Sequence, residues 1–286
     1  MQTNKPMRTV EREMEIDAPV EAVWKALTDA SELMRWFPPE AEVIPGEGGE
    51  VRLMWGEHWD GRCAIEIWKP NEHLRYTWME NTAPPDVDTG QPSKPLLVDF
   101  LLEGKGGTTV LRLVHTGFGP DADWDAMYDG VRRGWLFELC SLKHYLERRH
   151  GRDRQFAWFH RRPKISRDAA WRTLLSAGGL FSGATGLDDL YMGERFTVTT
   201  PSGEPFTGVV EIFGPPKDFA ARVDQLDGGL FRLHIDEYTD PGLTEVYLSI
   251  STWGMDDATA KAIARHWEDA LDRVLPKSRV VTATSA

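Results

Sequence analysis

The strongest constraint on the fold is an internal repeat in the sequence. Four short patterns recur in the same order and at a similar offset, although no single pair is persuasive alone. The recurring pairs are AVWKAL (22–27) with AAWRTL (169–174), GGEVRL (48–53) with MGERFT (192–197), IEIWKPNEHL (65–74) with VEIFGPPKDF (210–219), and the W-x-x-x-L patterns that begin at Trp135 and Trp267. A chain of 286 residues can hold two domains of ordinary size. We therefore predict one domain at 8–150 and a second, divergent domain at 155–280.

The order of elements in the first copy predicts an α+β fold. Alternating apolar and acidic residues over 8–16 indicate a half-buried strand, and a helix with Pro19 in its first turn is predicted to follow. The remaining predicted elements are a short helix at 31–36, strands at 50–56, 61–69, 72–80, 96–103 and 108–116, a Pro-rich loop at 81–95, and a long amphipathic helix at 121–149. Because helices and strands are segregated, each copy is predicted to be a curved antiparallel sheet wrapped around a long C-terminal helix.

The first domain is predicted to contain a cavity, because a strongly bent sheet cannot contact a straight helix along its whole length. The two short helices would close one end, with Trp24 facing the core and Trp36 at the rim. The chain has twelve tryptophans, and aromatic walls suit a flat or apolar ligand. The residues predicted to line this ligand-binding chamber are Trp36, Trp55, Trp59, Trp78, Phe100, Tyr128 and Trp135. Ordinary packing of aromatic side chains in a core is the alternative interpretation.

Two polar residues beside this chamber are candidates for chemistry. His115 is in phase with the leucines of a predicted strand and could exchange a hydrogen bond with a ligand at neutral pH. Glu138 lies three residues after Trp135, and it would be a candidate acid or base if it faced inward. The alternatives are a histidine satisfied within the core and a glutamate at the edge of the buried stripe. The second copy has Thr252 or Trp253 in the region of His115, so this feature is not duplicated.

A further pair of polar residues is repeated between the copies. Glu66 and Glu211 occupy the same place in the two related segments IEIWKPNEHL and VEIFGPPKDF. A charge repeated within a strand favours an architectural role, such as a cross-strand pair on the outer face of the sheet, over catalysis.

Charge and motif spacing exclude several classes of function. The net charge of −12 opposes binding to a nucleic-acid backbone. No window is long and apolar enough to span a membrane, and the N-terminal segment has no apolar signal region, so neither a membrane protein nor a secreted one is expected. Cys63 and Cys140 form no CxxC pair, which favours reduced thiols in a cytoplasmic protein. The histidine spacing and the glycine-rich turns match no metal, phosphate or dinucleotide motif, so neither a metal nor a cofactor is predicted.

The first copy resembles a known family. The stretches IDAPVEAVWKALTD with WF, IEIWKPNEHLRYTW, GTTVLRLVHTGFG and GWLFELCSLKHYLE are similar to the START-like (SRPBCC, birch-pollen-allergen-like) helix-grip superfamily, in the branch of the activators of the heat-shock-protein-ninety ATPase (AHSA-like). They cover nearly all of 8–148, whereas the second copy resembles the family more weakly. The resemblance implies a hydrophobic cavity and often no enzymatic activity. Chaperone activation would need a further N-terminal module, for which there is no room before residue 8.

The sequence is consistent with three functions. The first is a cytoplasmic module that binds a hydrophobic or aromatic small molecule in the first copy, while the second copy, packed tightly by an Ala-rich helix, serves stability or dimerisation. The second is an enzyme that uses His115 or Glu138 as acid or base on a cyclic or polyketide-like substrate, as some relatives in the superfamily do. The third is a protein–protein interaction or co-chaperone-like module that docks through its sheet.

Overall fold

The computed structural model describes residues 7–56, 59–78, 95–175, 178–181, 190–200, 202–237 and 244–276. It divides into two compact units, of which the first ends at Arg152 and the second begins at Asp153. Within the described residues, each unit contains one antiparallel sheet and a long helix at its C-terminal end. The predicted α+β class and the tandem arrangement are therefore confirmed.

The first unit, over its described residues, has a seven-stranded antiparallel sheet with the order β1-β7-β6-β5-β4-β3-β2. Its strands are β1 (Arg8–Ile16), β2 (Glu40–Ile44), β3 (Glu50–Trp55), β4 (Trp59–Lys69), β5 (His73–Trp78), β6 (Leu96–Lys105) and β7 (Thr108–Phe118). The sequence did not predict β2, because this short strand buries no side chain fully and its alternation carries little hydrophobic signal. The predicted loop at 81–95 lies, except for Pro95, outside the described residues.

The helices of the first unit are α1 (Val20–Thr28), α2 (Ala30–Leu33) and α3 (Asp125–His144). A 3-10 turn at Ala122–Trp124 precedes α3 and a π turn at Tyr145–Arg149 continues it, so the predicted helical stretch is present with three hydrogen-bonding patterns. Pro19 stands at the N-cap of α1, one position before the predicted first turn. The carboxylate of Asp29 caps α2 by accepting the backbone N–H of Glu32.

The two tryptophans of the helical pair lie in positions opposite to those predicted. Trp36, predicted at the rim, is 1% exposed, and its indole N–H donates to the carbonyl of Ala26 at 2.8 Å. Trp24, predicted to face the core, is half-buried and meets Trp68 edge-on, with ring centroids 5.2 Å apart. The buried stripe of α1 instead runs through Val23 and Ala26, which turns Trp24 toward the flank of the helix.

The second unit repeats this plan with a six-stranded antiparallel sheet in its described part, in the order β8-β13-β12-β11-β10-β9. Its elements are β8 (Arg154–Arg161), α4 (Arg167–Leu175), β9 (Arg195–Thr199), β10 (Pro205–Gly214), β11 (Asp218–Val223), a 3-10 turn (Asp224–Leu226), β12 (Gly229–Asp236), β13 (Glu245–Trp253) and α5 (Asp257–Val274). Trp267 on α5 contacts the rings of Phe181, Phe206 and Phe231, so phenylalanines pack between the second half of this helix and the sheet.

Glu66 and Glu211 each mark a β-bulge at the same point of the two sheets. The register of β4 against β5 shifts between Ile65 and Ile67, and that of β10 against β11 shifts between Val210 and Ile212. Each bulge adds one residue and bends its strand. This placement gives both glutamates an architectural position.

Candidate functional site

The interior of the first unit holds a group of aromatic rings between the sheet and α3. We define this aromatic cluster as Trp36, Phe37, Trp55, Trp78, Phe100, His115, Phe118 and Trp135. Ring centroids of its contacting pairs lie 4.8–6.5 Å apart, within the range of stacked and edge-on aromatic contacts. The structure therefore brings together six of the residues predicted from the sequence and adds Phe37 and Phe118.

Trp135 lies at the centre of the aromatic cluster because α3 directs it onto the middle of the sheet. Its ring centroid lies 5.3 Å from that of Trp78, 5.6 Å from Phe37 and 5.7 Å from Phe100. Its side chain is 3% exposed. The indole N–H needs a hydrogen-bond acceptor at this depth, and it donates to Nδ1 of His115 at 2.9 Å.

His115 reaches the same point from β7. It faces Val98 of β6 and Val10 of β1 in the register of the sheet, so apolar strand residues surround its backbone on both sides. Its side chain is 0% exposed, and its ring contacts those of Trp78 and Phe118 at centroid distances of 5.2 and 4.8 Å. Burial lowers the pKa of His115 to about 3, so the imidazole is neutral near pH 7.

The hydrogen bond from Trp135 decides which nitrogen of His115 carries the proton. A neutral imidazole has one N–H and one lone-pair nitrogen, and Nδ1 must be the acceptor here. The proton therefore lies on Nε2. This Nε2–H is buried and has no hydrogen-bond partner among the described residues. The centre of the aromatic cluster thus presents one hydrogen-bond donor that the described protein groups leave unused, which is costly unless something else accepts it.

One side of the aromatic cluster approaches the surface. Trp55 and Trp78 are half-buried, whereas Trp36, Phe100 and Trp135 are almost completely buried. Phe37 bridges the two groups, with ring centroids 5.4 Å from Trp55 and 6.5 Å from Trp78. Trp55 and Trp78 are therefore the rings that form the outer side of the aromatic cluster.

Three predicted site residues are not members of the aromatic cluster. Trp59 pairs with Trp55 across β3 and β4, and it is 47% exposed. Tyr128 is half-buried, contacts Phe118 at a centroid distance of 5.4 Å and donates its hydroxyl to the carbonyl of Thr9 at 3.2 Å. Glu138 is half-buried on α3, three residues beyond the central tryptophan. Tyr128 therefore touches the aromatic cluster at its edge.

Sequence reasoning missed Phe37 and Phe118 for identifiable reasons. Phe37 follows Trp36 directly and was not included among the predicted lining residues, although the two ring centroids lie 5.1 Å apart. Phe118 lies an odd number of residues beyond His115, which would place it on the opposite face of a regular strand. Gly117 has φ +103°, and this irregularity of the backbone breaks the alternation.

The described residues also delimit other kinds of site. In the described ranges, no group of three or more His, Cys, Asp or Glu side chains is arranged to hold a metal ion. Cys63 is buried and Cys140 is half-buried, and within the described part of the chain neither forms a disulfide. No helix in the part of the chain that the structure describes is both long and apolar enough to cross a membrane.

Comparison with known proteins finds one family that is similar to the first unit. Residues 17–147 match the model of the family "Activator of Hsp90 ATPase homolog 1-like protein" (AHSA1). The match covers most of the first unit, so this unit is similar to the family. The match begins just after β1 and runs to the π turn after α3, so the AHSA1 region contains the whole aromatic cluster. The comparison with curated proteins found no match for the chain.

Several solved structures are similar to the chain. The protein MLL2253 from Mesorhizobium loti is 29% identical to it, with 50% of this chain and 99% of that chain covered and a TM-score of 0.43. The di-domain ARO/CYC protein BexL from the BE-7585A biosynthetic pathway is 18% identical, with coverage of 94% and 96% and a TM-score of 0.43. DynU16 from the dynemicin biosynthetic locus is 19% identical, with coverage of 93% and 97% and a TM-score of 0.43. Likenesses at these TM-scores carry no conclusion about the function of this chain.

Proposed function

We propose that the first unit binds a flat, largely apolar small molecule that carries a hydrogen-bond acceptor, and that the acceptor sits on Nε2–H of His115. The observation that carries this proposal is the buried imidazole donor without a partner among the described residues, placed within a group of aromatic rings. A donor in that position lacks a favourable partner until an acceptor reaches it. A ketone, quinone or phenolic oxygen on a planar ring system has the matching chemistry.

The surrounding rings would supply most of the binding free energy. Faces and edges of aromatic side chains attract a planar ligand, and each such pair contributes about 0.5–1.5 kcal/mol beyond area burial. The rings now contact one another, so the ligand would replace contacts among Trp78, Phe37 and Trp135 with contacts to itself. Of these three rings only Trp78 is half-buried, so it is the one that lies nearest to the surface.

The hydrogen bond would supply selectivity rather than strength. A neutral hydrogen bond contributes about 0.5–1.5 kcal/mol net, which corresponds to a preference of roughly 2- to 13-fold for a ligand with the acceptor. Selectivity of this kind is sharper in a dry site, because the ligand oxygen cannot bond to water instead.

The same geometry opposes an acid–base role for His115. Its Nδ1 lone pair already accepts the Trp135 N–H, and burial holds the pKa of the imidazole at about 3, so it is a weak base at neutral pH. We therefore propose binding in preference to catalysis by His115 or Glu138. The domain bounds 8–150 and 155–280, a cytoplasmic location, a homodimer and a protein-docking role all stay predictions.

The test compares two probes that differ only in the acceptor, 9-fluorenone and fluorene. We expect the full-length chain to bind both, with quenching of tryptophan fluorescence, and to prefer fluorenone by about 5-fold. His115→Phe should keep binding and lose the preference, and Trp78→Ala should weaken both ligands. Equal affinity of the unaltered chain for the two probes, or failure to bind either, would contradict the proposal.

A control separates these effects from damage to the fold. Trp59→Ala removes a tryptophan that is 47% exposed and lies outside the aromatic cluster. We expect this variant to bind both probes like the unaltered chain. Circular dichroism of all variants checks that each remains folded before its affinities are compared.

A further inference from the structure

The sheet of the second unit ends in β9, which pairs with β10 and with no other strand of the described part. The N–H of Val210 on β10 donates to the carbonyl of Glu194, just before β9. The N–H of Thr200, just after β9, donates to the carbonyl of Glu204. In an antiparallel pair, the backbone groups of successive residues point alternately toward and away from the neighbouring strand. Thr197 lies an odd number of residues from both of these bonds, so its N–H and C=O groups point away from β10.

The two edges of the first sheet are protected in ways that β9 is not. Along β1, the side chains of Tyr128 and Lys143 on α3 donate hydrogen bonds to backbone carbonyl groups. On β2, Glu40 and Glu42 are exposed, and charged side chains are a common protection against pairing at an edge strand. After its first residue, β9 has the sequence FTVT, which is uncharged and favours strand pairing. Its outward edge is therefore suited to contact with another strand.

The β9 edge is complementary to itself. In an antiparallel pairing about a two-fold axis at Thr197, the N–H of Thr197 in each copy donates to the carbonyl of Thr197 in the other. The same axis sets Arg195 opposite Thr199 of the other copy, so no like charges meet across the strands. The guanidinium of Arg195 already pairs with Asp224 in its own chain, which compensates its charge. A second copy of the chain therefore fits this edge in both backbone direction and charge.

Two large exposed side chains lie directly before β9. Tyr191 and Met192 are 69% and 66% exposed. They belong to a turn in which the N–H of Glu194 donates to the carbonyl of Tyr191 at 3.2 Å. The N–H of Gly193 fixes this turn to the sheet by donating to the carbonyl of Val210 at 2.8 Å. In the antiparallel arrangement this end of β9 meets the end of the strand in the other copy, so association would remove apolar surface from water.

We propose that β9 is the contact through which two copies of the chain associate, and that it joins the sheets of their second units into one continuous antiparallel sheet. The contact is isologous, so it closes after two copies and leaves neither β9 edge open to a third. Backbone hydrogen bonds across the two strands carry the interaction, with Tyr191 and Met192 packing at its ends. This gives the divergent second unit the role in dimerisation that its sequence allowed.

Sedimentation velocity and amide hydrogen exchange of the full-length chain, each over a range of protein concentrations, test this contact without any substitution. We expect a dimer that dissociates on dilution. Exchange at the Thr197 N–H should slow as the dimer fraction rises, because this N–H becomes hydrogen-bonded. A chain that stays monomeric at about 0.1 mM would overturn the proposal. A dimer in which the Thr197 N–H exchanges as fast as in the monomer would overturn it as well.

Two substitutions at Thr197 separate the backbone contact from other effects. Thr197→Pro removes the outward N–H and no bond to β10, so the sheet should remain folded. We expect it to raise the dissociation constant of the dimer about 10-fold or more. Thr197→Val keeps the N–H and the β-branched shape and should leave the dissociation constant unchanged. Circular dichroism checks that both variants are folded, and a folded Thr197→Pro chain that dimerises as well as the unaltered one would place the contact elsewhere.

Discussion

Trp135 and Trp267 each lie at the centre of one unit, but their surroundings differ. Trp135 contacts three aromatic rings and donates its indole N–H to His115. Trp267 contacts the rings of Phe181, Phe206 and Phe231. The same scaffold therefore has a polar bond at the centre of one unit and an apolar centre in the other. The comparison teaches that the side chains on the strands and loops that face the helix, rather than the shared scaffold, determine the polarity of each interior.

The largest expected effect is on the apolar centre of the second unit. Phe231 is 0% exposed and contacts three phenylalanines and Trp267. Phe231→Ala should lower the free energy of unfolding of this unit by about 3–5 kcal/mol, since it removes a buried ring and leaves a cavity. Urea unfolding followed by the Ile250 methyl signal measures it. Trp78→Ala, at the half-buried rim of the aromatic cluster, should lower the free energy of unfolding of the first unit by less than this. A larger loss in the first unit would contradict the prediction.

The next largest effect isolates the hydrogen bond between Trp135 and His115. Trp135→Phe and Trp267→Phe remove a similar volume, but only Trp135→Phe takes a donor from Nδ1 of His115. An unsatisfied buried group adds about 1–3 kcal/mol to the loss of unfolding free energy. We expect Trp135→Phe to lower the free energy of unfolding by this much more than Trp267→Phe does, as measured by chemical denaturation.

A double variant provides the control for that bond. His115→Phe combined with Trp135→Phe removes both partners of the hydrogen bond, so the extra loss should largely disappear. If the double variant is destabilised by the full sum of the two single changes, the bond does not stabilise the first unit.

A third prediction concerns pH. Burial holds the pKa of His115 at about 3 in the folded chain, below the value of about 6.5 for an unfolded histidine. The unfolded state therefore binds the proton first as pH falls, and stability is lost from about pH 6.5 downward. From pH 6.5 to 5 the loss through His115 should be about 1.5 kcal/mol. His115→Phe should show a pH dependence of unfolding that is shallower by this amount, and an unchanged slope would mean that the imidazole is not neutral when folded.

The smallest effect compares the starts of the two long helices. Asp256 caps α5 through its side chain, whereas Asp121, at the start of the 3-10 turn before α3, makes no side-chain cap. Asp256→Ala should lower the unfolding free energy by about 1 kcal/mol, and Asp121→Ala should change it by less than about 0.5 kcal/mol. Thermal unfolding of the two variants under identical conditions measures the difference, and equal shifts would contradict it.

Elements with a clear period or a repeat could be predicted from the sequence. The alternation of β1, the stripe of α3 and the duplicated patterns located both units and brought six residues of the aromatic cluster together. These signals are local, because burial on one face of a strand or helix forces a regular spacing. Prediction was weaker for short elements, because α2 spans little more than one helical turn and β2 buries no side chain fully.

Details that depend on contacts between distant segments could not be predicted. The exchange of roles between Trp24 and Trp36 follows from which face of α1 is buried, and that face runs through Val23 and Ala26. The tautomer of His115 depends on Trp135, which comes twenty residues later and from another element. A gap lined by Ala157 of β8 and by Ala260 and Ala264 of α5 could not be predicted either, because it forms where small residues of two distant segments meet.

The bulges at Glu66 and Glu211 have a further consequence. Pairs Ile65–Tyr76 and Val210–Ala221 lie before the bulge, and pairs Ile67–Arg75 and Ile212–Ala220 lie after it, so the two hairpins match residue for residue. We expect that a segment with the same length, bend and strand pairing can be exchanged without shifting the register of the neighbouring strands. The hairpin of one unit should therefore replace that of the other. Chimaeras exchanged at these boundaries would transfer residues that line one interior into the other.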